Sequence, residues 1–182
     1  MRRAAFVAST MLLFAGLAAA QVLTSGNVFF GYSYYNTDLS STGRMNANGW
    51  EGTLEGKVLP WVGILADFSG HYGSQDFAFP CSLGPCGTIS ENVNEYNVLF
   101  GPRVSTSVGK FRPFAEAMFG IGHVNANAAG ADTSFAAALG GGLDYRLVRP
   151  VAWRFQGDYV HTRFFGARQN NLRLSTGIVL RF

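Results

Sequence analysis

The chain has 182 residues, of which 48% are hydrophobic and only 14% charged, with 23 glycines and 16 phenylalanines. That length suits one domain, and the mixture excludes both a disordered chain and a helical bundle. The formal charge of +3 shrinks once the leader is set aside, so charge gives no case for nucleic-acid binding.

The leader is "MRRAAFVASTMLLFAGLAAA", residues 1–20: two arginines, an apolar stretch and Ala18-Ala19-Ala20. This is the form of a secretory signal peptide, with cleavage expected before Gln21. Its apolar core is too short for a membrane anchor, and no Cys stands at the cut to accept a lipid. Without Arg2 and Arg3 the basic residues number twelve against eleven acids.

From Gln21 onward no segment approaches the roughly 18 apolar residues of a membrane helix. Alternation takes its place. In "NVFFGYSYY", Val28, Phe30, Tyr32 and Tyr34 share one parity, against Asn27, Gly31 and Ser33. The same two-residue period runs through "WEGTLEGKV", "ILADFSGHY", "EYNVLFGPRV", "RPFAEAMFGIG", "SFAAALGGGLDYRL", "VAWRFQGDY" and "RLSTGIVLRF". Each of these eight segments is about ten residues, the length of a tilted strand crossing a bilayer. The alanines of "FAAALGGG" would suit a helix, but three glycines follow and the parity holds to Leu147.

Links between segments also alternate. Leu59-Pro60-Trp61, the stretch from Ser105 to Lys110, and Val148-Arg149-Pro150 are short. The others are longer and polar, the longest from about residue 73 to residue 91, and "NTDLSSTGRMNANG" and "HVNANAAGADT" read as mobile loops. Short turns at one end and long loops at the other suit an all-β fold, an eight-stranded antiparallel up-and-down transmembrane β-barrel with both termini in the periplasm. On that scheme Tyr34, Trp50, Tyr72, Tyr96 and Tyr159 form an outer aromatic belt. Tyr145, Trp153 and Phe182, with Trp61 in a turn, form the inner one.

With these residues in view, the chain resembles the small eight-stranded outer-membrane β-barrel proteins of Gram-negative bacteria, the class of the outer-membrane protein A transmembrane domain. The resemblance covers nearly all of residues 21–182 and rests on the strand pattern and the ending "LSTGIVLRF". It implies residence in the cell outer membrane and an assembly signal formed by Leu174, Thr176, Ile178, Leu180 and Phe182. It also implies contact with the barrel-assembly machinery, outer-membrane lipid and lipopolysaccharide as partners. A monomer is expected, with no cofactor and no peptidoglycan-binding domain.

Inward parity holds seven of the acids: Glu51, Glu55, Asp67, Glu95, Glu116, Asp144 and Asp158. The inward bases are Lys57, Arg103, Arg112, Arg146, Arg154, Arg173 and Arg181. Strand direction sets Lys57, Arg103, Arg112, Arg146, Arg154 and Arg181 toward the periplasm and Glu55, Asp67, Glu116, Asp144 and Asp158 nearer mid-height. Inward Gly101, Gly120, Gly122, Gly140, Gly142 and Gly177 are expected to leave room for the arginines. An eight-strand interior is just wide enough for side chains to fill it, so pairing of these charges would plug the barrel. The other reading is a narrow ion or water path, with structural or weakly pore-forming function in either case.

Cys81 and Cys86 in "CSLGPC" point to a short-range disulfide in an oxidising compartment; a metal site lacks nearby ligands. An enzyme is not expected. Asp67, Ser69 and His71 are spread along one strand, His123 is read as opening the third outer loop, and His161, three residues after Asp158, has no specified serine. Arg163 and Arg168 near the last loop could meet phosphates of the surrounding glycolipid, and the outer loops together offer a surface for adhesion.

Overall fold

The computed structural model describes residues 25–38, 44–78, 88–126 and 130–182. The leader and the pair Cys81 and Cys86 lie outside these residues. Eight strands follow in order: β1 Gly26–Asp38, β2 Arg44–Lys57, β3 Val62–Ala78, β4 Thr88–Ser105, β5 Phe111–Ala126, β6 Gly130–Val148, β7 Val151–Thr162 and β8 Gln169–Arg181. Each pairs antiparallel with its sequence neighbours, and β8 returns to β1 through Asn27↔Arg181 to Asn36↔Leu172. The sheet therefore closes on itself and has no free edge. The alanine run of β6 is held in extended form by full ladders on both sides, to β5 and to β7.

The outward parity is apolar and exposed, from Phe30, Leu54 and Ile64 through Phe119, Phe135 and Leu139 to Phe155 and Leu180. A soluble sheet would hide such a face; a membrane-spanning barrel turns it to lipid. The end that carries both termini is closed by tight links. Val58 N donates to Val62 O at 3.0 Å, Val108 pairs with Phe111, and only Arg149 and Pro150 separate β6 from β7.

At the opposite end the strands run further than the hydrophobic pattern suggested. Three stretches read as loops continue as paired hairpins: Asp38↔Arg44 joins β1 and β2, Ala78↔Thr88 joins β3 and β4, and Ala126↔Gly130 joins β5 and β6. The physical reason is an inversion of the pattern. Here Met45, Ala47, Val93, Val124 and Ala126 point inward and are buried, while Asn46, Asn48, Asn92 and Asn125 point outward. Beyond the lipid the wall faces water, so it is built like that of a soluble barrel, greasy inside and polar outside. His123 is thus a strand residue, opposite Tyr96 on β4 and Thr133 on β6, and does not open a loop.

The β7–β8 link contains a short 3-10 turn, Phe164–Gly166. Phe165 has a positive φ of 52° and Gly166 follows at 77°. This reversal lets Phe164 fold back into the barrel mouth, where it is buried in one cluster with Tyr35, Met45, Val93 and Val124. Asp132 Oδ2 accepts the Phe165 N–H at 2.5 Å, and Arg163 N donates to Ser134 Oγ at 3.2 Å, which tie the link to β6.

Candidate functional site

The interior is layered. At the terminal mouth Lys57 Nζ lies 2.6 Å from Glu55 Oε1 and donates to Ser105 Oγ, which also accepts from Arg112. Arg181 Nη2 reaches Asp144 Oδ2 at 3.1 Å, and Arg146 Nη2 donates to the carbonyl of Gly109 in the β4–β5 turn.

One layer deeper, Arg154 grips Asp144 with two bonds of 2.7 and 3.1 Å, and Arg103 bridges Glu116 at 2.5 Å and Glu55 at 3.0 Å. The ring of Phe114 packs against both guanidiniums, 4.4 Å from that of Arg103 and 4.7 Å from that of Arg154. Asp144 faces Arg112 on one side and Arg154 on the other. That corrects its expected mid-height position: it lies level with the lower arginines.

The centre belongs to Arg173, which the sequence layering left unplaced. Its guanidinium holds Asp67 through Nη1 at 2.9 Å and Nη2 at 3.1 Å. It also donates to Asp158 Oδ2 at 2.9–3.0 Å and lies 3.4 Å from Glu51 Oε2. Arg173 is 0% exposed, as are Glu51 and Asp67. Gln156 links two of these acids to Glu116, with Nε2 2.9 Å from Glu51 and Glu116 and 2.8 Å from Asp158. A planar fork can bind two carboxylates edge-on, and buried charges demand such partners.

Above Arg173 the polarity falls. Ser175 bridges Glu51 at 2.5 Å and Ser33 at 3.0 Å, and Ser33 meets His71 Nε2 at 2.9 Å. His71 is therefore bonded over Gly49 of β2 to Ser33 of β1, not to Asp67 or Ser69 of its own strand, and its ring stacks on Tyr35 at 4.4 Å. Tyr35 donates to Glu95 at 2.9 Å. Over this lies the apolar cap of Phe164 and its neighbours.

The inward glycines serve a different purpose from the one expected. A Cβ at Gly140 would meet Asp158 Oδ1 at 1.9 Å, one at Gly142 the Phe114 ring at 2.7 Å, and one at Gly122 the Phe164 ring at 2.9 Å. They leave room for one acid and two aromatic rings, and Gly101 and Gly120 for neighbouring backbone, so none of these makes space for an arginine. The sequence reading put Gln156 on the inward parity beside Arg154 and Asp158, where it is buried, but missed Phe114, Phe164 and Tyr35 as members of this interior. For Phe114 the signal was present: a large apolar side chain on the charged parity of its own strand.

Outside, Trp61, Tyr145, Trp153 and Phe182 stand exposed toward the terminal end. Tyr72, Tyr96 and Tyr159 stand exposed toward the hairpin end, with Tyr34 and Trp50 half-buried beside them. Tyr32, opposite Trp50 on β2, joins this upper group although the belt read from sequence omitted it. Among the described residues no group of His, Cys, Asp and Glu is placed to hold a metal ion.

A closed eight-stranded antiparallel barrel with an apolar outer wall and a charged lumen defines a membrane-spanning β-barrel of the outer-membrane class. The outer membrane protein beta-barrel domain family matches residues 5–182, so the chain belongs to that family and resides in the cell outer membrane. Among solved structures, Neisserial surface protein A is similar at a TM-score of 0.69 and 13% identity, covering 86% of this chain and 97% of its own. The attachment invasion locus protein Ail of Yersinia pestis follows at 0.57 and 16%, covering 87% and 98%. OprG of Pseudomonas aeruginosa gives 0.57 and 10%, covering 87% and 95%. No curated protein matches.

Proposed function

We propose that this protein is a sealed structural barrel of the outer membrane, without enzymatic activity, whose paired lumen charges act as an internal plug. The termini face the periplasm and the long hairpins face outward. One observation supports this reading above the others: Arg173, fully buried at mid-height, is bound to Glu51, Asp67 and Asp158 from three other strands. Its neighbours leave no aqueous passage at that level, since an eight-strand lumen is filled by side chains. Breaking such a contact to admit an ion strands buried charges at several kcal/mol. The decisive experiment is single-channel conductance of the refolded protein in planar bilayers. A silent barrel that shows the gel mobility shift of a folded state is expected; discrete, reproducible openings would replace the plug by a pore.

A second reading, surface attachment, draws on the β7–β8 link. Phe165 is 52% exposed, fixed by Asp132, and flanked by exposed Arg163 and Arg168. Ail, similar in fold, is a protein whose name denotes attachment and invasion and which has been solved with the heparin analogue sucrose octasulfate. Equal adhesion of cells expressing wild type and Arg163→Ala/Arg168→Ala would remove this reading.

A further inference from the structure

The outward asparagines of the hairpin end are not spread evenly around the barrel. On β1 to β4 they form a graded series. One row reads Tyr32↔Trp50↔Gly70↔Tyr96, the next Tyr34↔Asn48↔Tyr72↔Asn94, and beyond it Asn36 faces Asn46 while Ser74 faces Asn92. The series passes from aromatic to mixed to amide within two steps of about 7 Å along the strands. The rows continue onto β5 and β6 in other polar groups, with His123 opposite Tyr96, Thr133 opposite His123 and Asn125 opposite Asn94, whereas on the β1–β8 seam Leu172, opposite Asn36, is exposed and apolar. The densest run of amides, Asn36, Asn46, Asn48, Asn92 and Asn94, therefore lies on β1 to β4.

It is also shaped. A groove of about 460 Å³ runs over β2 to β4, lined by Asn46, Asn48, Tyr72, Ser74, Asn92 and Asn94 with Gly73 at its floor. Gly73 has inward parity, where a Cβ would meet the buried Met45 and Ala47 at 3.0 and 3.2 Å, so it gives the groove only its backbone. The amides are oriented. Asn46 Oδ1 accepts from Tyr34 OH at 2.8 Å and from Asn36 at 2.6 Å, and Asn48 Oδ1 accepts from Tyr32 OH. With those oxygens engaged, the Asn46 and Asn48 amide nitrogens are left to donate outward. Tyr72 meets Tyr96 edge-on at 5.9 Å, which fixes the tilt of its exposed ring beside the amides. At the groove's edge stands one cation, Arg44, held by Asn36 Oδ1 at 2.7 Å.

We infer that this groove is a carbohydrate-binding site, and that its occupant is the core oligosaccharide of the glycolipid packed beside the barrel in the outer leaflet. The chemistry matches: amide donors and acceptors in rows suit sugar hydroxyls, a fixed Tyr ring suits the apolar face of a pyranose, and Arg44 suits one acidic substituent. The position selects the source. The groove opens sideways, directly above the aromatic row that meets the lipid interface, where the sugars of an embedded glycolipid lie and a soluble glycan would have to descend. Choosing that source rests on the outward orientation of the hairpins proposed above.

The test uses the full-length purified protein in detergent micelles, titrated with rough-type lipooligosaccharide and, separately, with lipid A lacking core sugars. Lipooligosaccharide should bind about tenfold more tightly, the worth of one or two net hydrogen bonds. Asn46→Ala/Asn48→Ala/Asn94→Ala should abolish that preference and leave lipid A binding unchanged. Equal affinity for the two glycolipids in the wild type overturns the site, as does a preference retained by the triple variant. Should that variant fail to fold, Asn48→Asp, which keeps the shape and removes the donor, is expected to lose most of the preference. The micelle titration does not depend on orientation. An epitope inserted between Ala126 and Gly130, displayed or not on intact cells, decides orientation separately, so either reading can fall without the other.

Discussion

At the scale of single residues, Arg173 is the position with most at stake. It lies in the membrane-spanning centre, where removal of its guanidinium would leave Asp67 and Asp158 without their cation. Arg173→Met should lower stability by about 3–5 kcal/mol, the cost of stranding buried charge. Arg173→Lys should recover little, because one ammonium cannot reproduce the four bonds the fork makes to Asp67 and Asp158. Urea unfolding followed by gel mobility in micelles would read both, and an unchanged midpoint for Arg173→Met would sink the network as a structural device. Phe114 is a quieter case. Its ring contacts the guanidiniums of both Arg103 and Arg154, like charges brought together by Glu55, Glu116 and Asp144. Phe114→Leu keeps an apolar side chain but loses two cation–π contacts, so a loss of about 1–2 kcal/mol is expected.

At the scale of the element, the seam between β1 and β8 decides whether the barrel closes. Gly31 pairs with Gly177 there, and a Cβ on Gly177 would stand 2.4 Å from the Gly31 Cα and 2.3 Å from the Phe30 carbonyl. The obstacle is backbone of the partner strand, which cannot move aside without breaking the ladder. Gly177→Val should therefore leave much of the protein in the unshifted, unclosed form on gels, whereas Gly157→Ala, where a Cβ meets only the Leu174 side chain at 3.3 Å, should close normally. Equal folding yields for the two would refute seam crowding as the limit. The strands themselves were legible because lipid imposes one rule on every outward residue, and Phe30, Leu54 and Phe155 obey it alike. Their hairpin extensions were not, because Asn46 and Ala47 follow the opposite rule beyond the lipid, and a reader tracking apolar-outward parity sees only a polar loop. Inside, parity marked which charges face the lumen but not their partners. Asp67 and Arg173 are 106 residues apart, and only closure of the barrel through β8 and β1 brings them together.

At the scale of the whole molecule, the proposed seal is redundant. Three layers cross the interior: the Phe114 layer with Arg103 and Arg154, the Arg173 cluster, and the Phe164 cap. They differ in chemistry. The lower two are ionic and fail by losing a partner, while the cap is apolar and fails by leaving a void. Phe164 of the cap also comes from a link, not a strand, and that link is anchored to the wall by the Asp132 bond to Phe165 N. On the plug reading, loss of any one layer leaves two still closing the path. Phe164→Ser, Arg173→Ser and Phe114→Ser should accordingly each lower the unfolding midpoint yet remain silent in planar bilayers. Phe164→Ser/Arg173→Ser, if it folds, should still be blocked by the Phe114 layer, and only the triple substitution should conduct. Openings from any single variant would show that one layer is the sole barrier, and the molecule would then be a gated pore held shut at that point.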